Sequence, residues 1–228
     1  MATRAQIDAQ VRAQSALVDR AVADLRTFWR ALPLSDPERA RDLLMEFMPA
    51  LVDKYGQAAG FAAAEFYDTL RADAATKRAF SAIVADADLD GVRASTRRLA
   101  GVLFGDNPET MLSGLGAVVD KQVKQVYRDT ITKSATADPD ASGWAREVRG
   151  EGCPFCRMLA TRGAVYKRDT ADFASHHHCK CAAVPEWGDA PEVTSRQYVA
   201  SRRTSAMSDE QKRIHRERVR SYLADMDA

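Results

Sequence analysis

The sequence has no long apolar run and almost no net charge, and each shortage excludes a class of protein. No segment approaches the roughly 18 consecutive apolar residues that a membrane-spanning helix needs. The formal net charge of +1 gives no global electrostatic reason to expect nucleic acid as the main partner. The first residues, 1–14, are polar and helix-prone, so we expect no secretory signal peptide and a cytoplasmic setting.

Several catalytic signatures are also missing. The glycines at 143, 150, 152 and 163 lie in turn-like contexts and form no phosphate-binding fingerprint. No acidic residue stands beside the histidines in an H-E-x-x-H pattern, which is typical of zinc hydrolases. We find no internal repeat. The sequence therefore predicts a protein that is not an enzyme.

A helical pattern runs from residue 4 to about residue 132. In the first segment, apolar residues recur at steps of three, four and seven, which is typical of one face of a long helix: Ile7, Val11, Val18, Val22, Leu25, Trp29 and Leu32. A capping residue and a first-turn proline, Asp36 and Pro37, predict the start of a second helix. With 228 residues, of which 46% are hydrophobic, the chain is long enough to bury a core.

Further helices follow in the same part of the chain. Residues 55–70 predict a third helix, either separate from the second or continuous with it, in which Gly56 and Gly60 suit close helix packing. Additional helices are expected at roughly 74–86, 88–103 and 108–132. The pair Asn107-Pro108 marks the break before the last of them.

The pattern changes after Lys133. Residues 135–143 read as a turn-rich linker, and short strands are expected at 144–149, 164–167 and 181–185. One or two helical turns are expected at 154–161. This is a compact α+β unit of about sixty residues, small enough for a metal to contribute much of its stability.

The four cysteines and three of the four histidines crowd into residues 153–181. In a reducing compartment, clustered cysteines are metal ligands more often than disulfides. The spacings C-x-x-C and H-x-x-C-x-C fall within the range of zinc sites, and two cysteines two apart on an extended strand face the same side. The predicted ligands of a structural zinc ion are Cys153, Cys156, His176, Cys179 and Cys181.

Several alternatives remain open at this cluster. One alternative is a site closed by four thiolates, and another is a site in which a histidine replaces one of them. The run of three histidines leaves His176 and His178 as competing candidates. A further alternative is that the cysteines are free and bind no metal. Two catalytic versions are an open zinc site that activates water beside His177 or His178, and a cysteine nucleophile paired with a histidine.

The end of the chain is polar and basic. It is either a solvated helix face or a surface for packaged DNA or an acidic partner. The lone His215 there is read as a solvated side chain. The basic residues of this tail are Arg196, Arg202, Arg203, Lys212, Arg213, Arg216, Arg218 and Arg220.

Several of these segments together resemble the C-terminal module of MuF-like phage minor head proteins. The resemblance is densest over residues 128–187 and thinner over 50–127. It departs from the family pattern at the three consecutive histidines, where one is needed. The matching segments are Arg128–Ile131, Gly143–Arg146, Arg149-Gly150, Cys153–Tyr166, His176–Cys181 and Val184–Trp187.

The resemblance implies a phage minor capsid protein that acts in head morphogenesis. Its expected partners are the portal and the major capsid or scaffold proteins, with packaged DNA as a possible contact of the basic tail, and no membrane. Its expected location is the inside of the capsid, or the host cytoplasm during assembly. Some members of the family are fused to a maturation protease, for which this chain has no matching constellation.

The expected fold class is α+β. A mainly helical domain (1–132) precedes a zinc-stabilised MuF-like α+β module (133–190) and a basic, partly helical tail (191–228). The expected function is virion assembly with a structural zinc knuckle. The alternative is a zinc-dependent nucleic-acid-binding protein or nuclease that uses the cysteine and histidine cluster and the basic tail.

Overall fold

The computed structural model describes residues 2–150, 154–161, 173, 179, 181–188, 208–211, 213, 214 and 217. Over these residues the fold is α+β with a helical majority, as the sequence predicts. The chain divides into two compact units, Met1–Glu192 and Val193–Ala228. The three-part division predicted from the sequence stays a prediction.

Two long helices open the fold. Helix α1 (Arg4–Arg30) begins with a capping box in which the Thr3 side chain and the Gln6 side chain bond each other's backbone N–H groups. Helix α2 (Pro37–Asp73) begins at Asp36, whose carboxylate accepts from the Arg39 N–H. The second and third predicted helices are therefore one continuous helix.

The remaining helices complete the bundle. Helix α3 (Leu89–Leu99) is followed by short 3-10 segments at Ala100–Phe104 and Pro108–Thr110. Helix α4 (Met111–Ala137) is five residues longer than its predicted end, so it includes the start of the predicted linker. Helix α4 packs against α1, α2 and α3.

Two glycines bring α2 and α4 close together, as predicted. A Cβ atom at Gly60 would lie 2.8 Å from Val84 Cγ1 and 3.3 Å from Val126 Cγ1, and one at Gly56 would lie 3.1 Å from Val126 Cγ2. Real Cβ contacts are seldom so short. Only glycine therefore fits this contact without displacing a neighbour.

The helix predicted at residues 74–86 is wrong. Residues 77–88 contain no helix, and side chains from other elements bind several of their backbone N–H groups. The Ala82 N–H donates to Asp68 Oδ1 at 2.9 Å, and the Ala85 N–H donates to Thr130 Oγ1 at 3.0 Å. Because these distant acceptors satisfy the backbone, the alanine-rich segment gains little from helix formation.

A buried carboxylate, that of Asp138, closes the C-terminal end of α4. It accepts from Arg71 Nε at 2.8 Å, from Tyr67 Oη at 3.0 Å and from Trp187 Nε1 at 3.1 Å. Burial raises the pKa of Asp138, but the hydrogen bonds outweigh it and the pKa lies below the ordinary aspartate value. We call these four residues the carboxylate centre.

The two strands form one antiparallel pair. Strand β1 (Gly143–Glu147) pairs with β2 (Ala182–Glu186), so that Ala145 lies opposite Val184. Both strands contact α4, and the short helix α5 (Pro154–Ala160) contacts β1. The predicted strands at 144–149 and 181–185 are confirmed with small shifts, and that at 164–167 lies outside the described residues.

The larger of two hydrophobic clusters joins the helices to this sheet. Its buried members include Leu44 and Tyr127 from the helices and Trp144 from β1, together with three of the cysteines. The core therefore extends without interruption from the bundle to the cysteine cluster.

The described part of the second unit, within residues 208–217, is helical and exposed. Arg213 forms ion pairs there with Glu210 and Glu217, at i−3 and i+4. Most of the predicted basic tail, including His215, lies outside the described residues.

Candidate metal centre

Three cysteines lie close together beside α4, one from a short helix and two from the segment before a strand. Cys156 lies in the short helix α5, and Cys181 directly precedes β2, with Cys179 two residues earlier. The pairing of β1 with β2 positions the start of β2, next to Cys179 and Cys181, and α5, which carries Cys156, contacts β1. The sheet therefore brings the two halves of the cysteine cluster together.

The three sulfur atoms all lie within 4.8 Å of one another. The sulfurs of Cys156 and Cys179 are 3.8 Å apart, which is far longer than a disulfide bond of about 2.05 Å. Four thiolates around zinc, with Zn–S bonds of about 2.3 Å, would lie about 3.8 Å apart along each edge of the tetrahedron. The observed spacing is compatible with a shared metal ion, and the same distance also fits a hydrogen bond between the thiols of Cys156 and Cys179.

The three thiols are also almost completely buried, with 1% exposure for Cys156, 2% for Cys179 and 4% for Cys181. A hydrogen bond from the Cys181 thiol lowers the pKa of Cys179, and the same contact raises the pKa of Cys181. The crowding of the thiols thus favours the loss of one proton and opposes the loss of a second, unless a bound cation offsets the negative charge. This donor set fits a soft divalent metal such as zinc.

Arg128 of α4 holds the backbone of the cysteine segment. Its Nη2 donates to the carbonyl oxygen of Cys179 at 2.8 Å, and both Nε and Nη2 donate to that of Cys181 at 3.2 and 3.1 Å. Burial lowers the pKa of this guanidinium, and the neighbouring thiols of Cys179 and Cys181 oppose that shift. The bundle therefore positions two of the candidate ligands through one side chain.

Arg146 of β1 approaches the thiols directly. Its Nη1 lies 3.7 Å from Cys156 Sγ, at hydrogen-bond distance for sulfur, and the residue is only 2% exposed. The buried ring of Phe173 contacts both arginines. Its centroid lies 3.7 Å from Arg146 Cζ and 5.1 Å from Arg128 Cζ. Two buried cations and one ring thus surround the cluster.

A cavity of about 220 Å³ lies between α1 and α4 and reaches Cys179 and Cys181. Gln14, Lys124 and Arg128 line it. The Gln14 side-chain amide nitrogen is buried and has no hydrogen-bond partner among the described residues. Two of the clustered cysteines therefore border a cavity that has polar side chains in its wall.

The structure brings together three of the five predicted ligands. Cys153 and His176 lie outside the described residues, as do His177 and His178, so their part in the site stays a prediction. Sequence reasoning assigned no role to Arg128, Arg146 or Phe173, although the two arginines belong to segments that carry the family resemblance. An arginine in a buried strand or on an apolar helix face is the signal that points to such a role.

None of the helices in the described ranges is both long and apolar enough to cross a membrane. Comparison with curated proteins gave no match, and comparison with solved structures gave none either. A family model described as "VG15 protein" matches residues 1–206, which include the bundle, the sheet and the cysteine cluster. The chain therefore belongs to the VG15 protein family, a viral family associated with phages.

Proposed function

We propose that this protein is a phage minor capsid protein that acts in head morphogenesis, and that a structural zinc ion holds its cysteine cluster. The family match over residues 1–206 supports the phage role. The resemblance of residues 128–187 to MuF-like minor head proteins supports the assignment to the head. The portal and the major capsid or scaffold proteins are the proposed partners, with packaged DNA as a further contact of the tail.

The geometry of the cysteines carries the zinc part of the proposal. Three buried sulfurs lie within 4.8 Å of one another, and the sequence offers a fourth donor close to them in the chain. Cys153 is the proposed fourth ligand because it completes a C-x-x-C pair with Cys156. His176 is the competing candidate. When bound, zinc would cross-link α5 to the segment before β2.

We propose a structural rather than a catalytic role for the metal. A structural zinc site is closed by four protein ligands, whereas a catalytic site keeps one position for water. The three described cysteines are at most 4% exposed, and a buried arginine contacts one of the sulfurs. This environment supports a fixed charge in the core of the protein more than a water molecule that is activated for hydrolysis.

Metal analysis of the full chain, purified under reducing conditions, tests the zinc proposal. We expect one zinc per chain, and with cobalt(II) we expect thiolate-to-metal charge-transfer absorption. Cys153→Ser should weaken that absorption more than His176→Gln if the site has four thiolates. The opposite order would make the histidine the fourth ligand, and a wild-type chain without stoichiometric metal would contradict the proposal.

Deletion of the gene in the phage tests the assembly role. We expect defective heads or a loss of infectious particles, restored by the wild-type gene and poorly by Cys181→Ser. The chain should also be found by mass spectrometry in procapsids or virions. Normal particle yield without the gene would contradict the assembly role. Zinc- or manganese-dependent cleavage of DNA, lost in His177 or His178 variants, would favour the nuclease alternative.

A further inference from the structure

We propose that Arg146 and Arg128 are the countercharges of the metal–thiolate centre and that they set its affinity for zinc. The inference rests on the proposed zinc site. It adds two residues that are not ligands, one acting on a ligand sulfur and the other on the backbone of two ligands.

The need for countercharge follows from the chemistry of the ligands. Cysteine binds zinc as the thiolate, so zinc with three thiolates carries a net charge of −1, and with four it carries −2. A net charge in a buried site is costly unless an opposite charge lies close to it. The described residues place two guanidinium groups, 1% and 2% exposed, against the cluster.

Arg146 acts on the sulfur of Cys156. The distance of 3.7 Å from Nη1 to Sγ allows an N–H···S hydrogen bond, which is stronger when the sulfur carries negative charge. That contact therefore stabilises the metal-bound thiolate more than the neutral thiol of the metal-free protein. A contact that favours one state over the other changes the binding constant.

Arg128 acts on the shape of the ligand segment. Its three hydrogen bonds end on the carbonyl oxygens of Cys179 and Cys181, so the two residues are held at a fixed spacing before a metal binds. Preorganised ligands lose less conformational freedom on binding. The same guanidinium adds positive charge to the centre.

Phe173 explains why both residues are arginine. Its ring contacts both guanidinium groups, with centroid distances of 3.7 Å to Arg146 and 5.1 Å to Arg128. A planar guanidinium can stack on an aromatic ring and donate hydrogen bonds from its edge, whereas a lysine ammonium cannot do both. A lysine at either position would keep the positive charge but could not both stack on the Phe173 ring and donate the same hydrogen bonds.

The test is the zinc dissociation constant of the full chain, measured by competition with a chromophoric chelator. For Arg146→Met we expect zinc affinity to fall by roughly 10- to 100-fold, the range seen when partners of metal ligands are removed. Arg128→Met should fall in the same direction. Arg146→Lys should lie between wild type and Arg146→Met, and it serves as the second variant if the methionine variant does not fold.

Arg71→Lys is the matched control. Arg71 is also buried and also hydrogen-bonded, but its partner is Asp138. Its replacement should lower the melting temperature and leave the zinc affinity unchanged. If Arg146 and Arg128 variants that fold bind zinc as tightly as wild type, the inference is wrong. It is also wrong if Arg71→Lys weakens zinc binding as much as Arg146→Lys does.

The zinc-binding measurements distinguish a failure of the arginine role from a failure of the proposed zinc site. A wild-type chain that binds no zinc overturns the proposed metal site and this inference together. A wild-type chain that binds one zinc, with arginine variants of equal affinity, overturns only the role of the arginines.

Discussion

Two buried polar centres are built around α4, and they are held together in different ways. The carboxylate centre has charges of both signs, and Asp138 is neutralised by Arg71 at 2.8 Å. The cysteine cluster has three chemically identical groups within 4.8 Å, next to two arginines. The first centre is complete with the residues of the chain, whereas the thiols of the second gain most from a shared cation. We therefore expect the carboxylate centre to contribute to the unfolding free energy without metal, and the cysteine cluster to contribute mainly when zinc is bound.

The largest effect is expected from breaking the carboxylate centre. Asp138→Asn leaves the buried Arg71 guanidinium with only the Asp140 carboxylate, 3.7 Å away, as a countercharge, and the loss of the closer partner should cost about 3–5 kcal/mol of unfolding free energy. Urea unfolding in the presence of a chelator measures this loss without a contribution from metal. A loss well below that range would show that Asp140, 3.7 Å from Arg71, replaces Asp138 as its partner.

The next largest effect is expected from metal at the cysteine cluster. A ligand that binds only the folded state adds about 2.7 kcal/mol of stability at a free concentration 100 times its dissociation constant. Wild-type protein with zinc at that ratio should gain this amount relative to chelated protein. Cys181→Ser should gain none. An equal gain in both proteins would place the zinc elsewhere.

A smaller effect is expected from acid at the edge of the carboxylate centre. The backbone N–H and the guanidinium of Arg78 lower the pKa of Asp140 from its ordinary value of 3.8 to about 2. A carboxylate with a lowered folded-state pKa stabilises the protein above about pH 4, and this contribution is lost as the pH falls towards 2. Asp140→Asn should therefore be less stable than wild type at neutral pH, and the two should converge in acid.

The measurement is denaturant unfolding of both chelated proteins from pH 7 to pH 2. Chelation matters because protons compete with zinc for thiolates, and metal loss in acid would add its own slope. If the difference in unfolding free energy between the two proteins stays constant over this range, the ionised Asp140 carboxylate does not stabilise the folded state.

The smallest effect is expected at the cavity beside the cysteine cluster. Gln14→Met replaces a buried amide that has no partner among the described residues with an apolar side chain of similar length. Since an unsatisfied buried donor is costly, we expect no loss and a gain of up to about 1 kcal/mol. Thermal unfolding measures it, with Gln10→Met as the matched control, because Gln10 donates to the Ala62 carbonyl. A clear loss for Gln14→Met would show that the amide has a bound partner.

The two centres also differ in how far the sequence reveals them. The cysteine cluster is visible because its ligands lie within 29 residues, at spacings that few other structures require. The carboxylate centre joins Tyr67, Arg71, Asp138 and Trp187, which share no local pattern, and it was not predicted. Pairwise contacts between distant polar residues leave no periodic signal in a single sequence.

The same distinction explains the errors in the fold. The start of α2 was predictable because its capping residue, Asp36, lies within three positions of the N–H group that it binds. The non-helical segment at 77–88 was not, because several of its N–H groups are satisfied by distant residues such as Asp68 and Thr130. Alanine-rich composition favours a helix only where no such acceptor competes.

The close contact at Gly60 has a consequence for the metal centre. Val126 packs against this glycine. Arg128 lies two residues further along the same helix and donates hydrogen bonds to the carbonyl oxygens of Cys179 and Cys181. A single added methyl group at position 60 would have to displace Val84 Cγ1, 2.8 Å away, and would press on Val126 Cγ1, 3.3 Å away on the helix that carries Arg128. The support that Arg128 gives to the cysteine segment thus depends in part on a glycine that lies on a different helix.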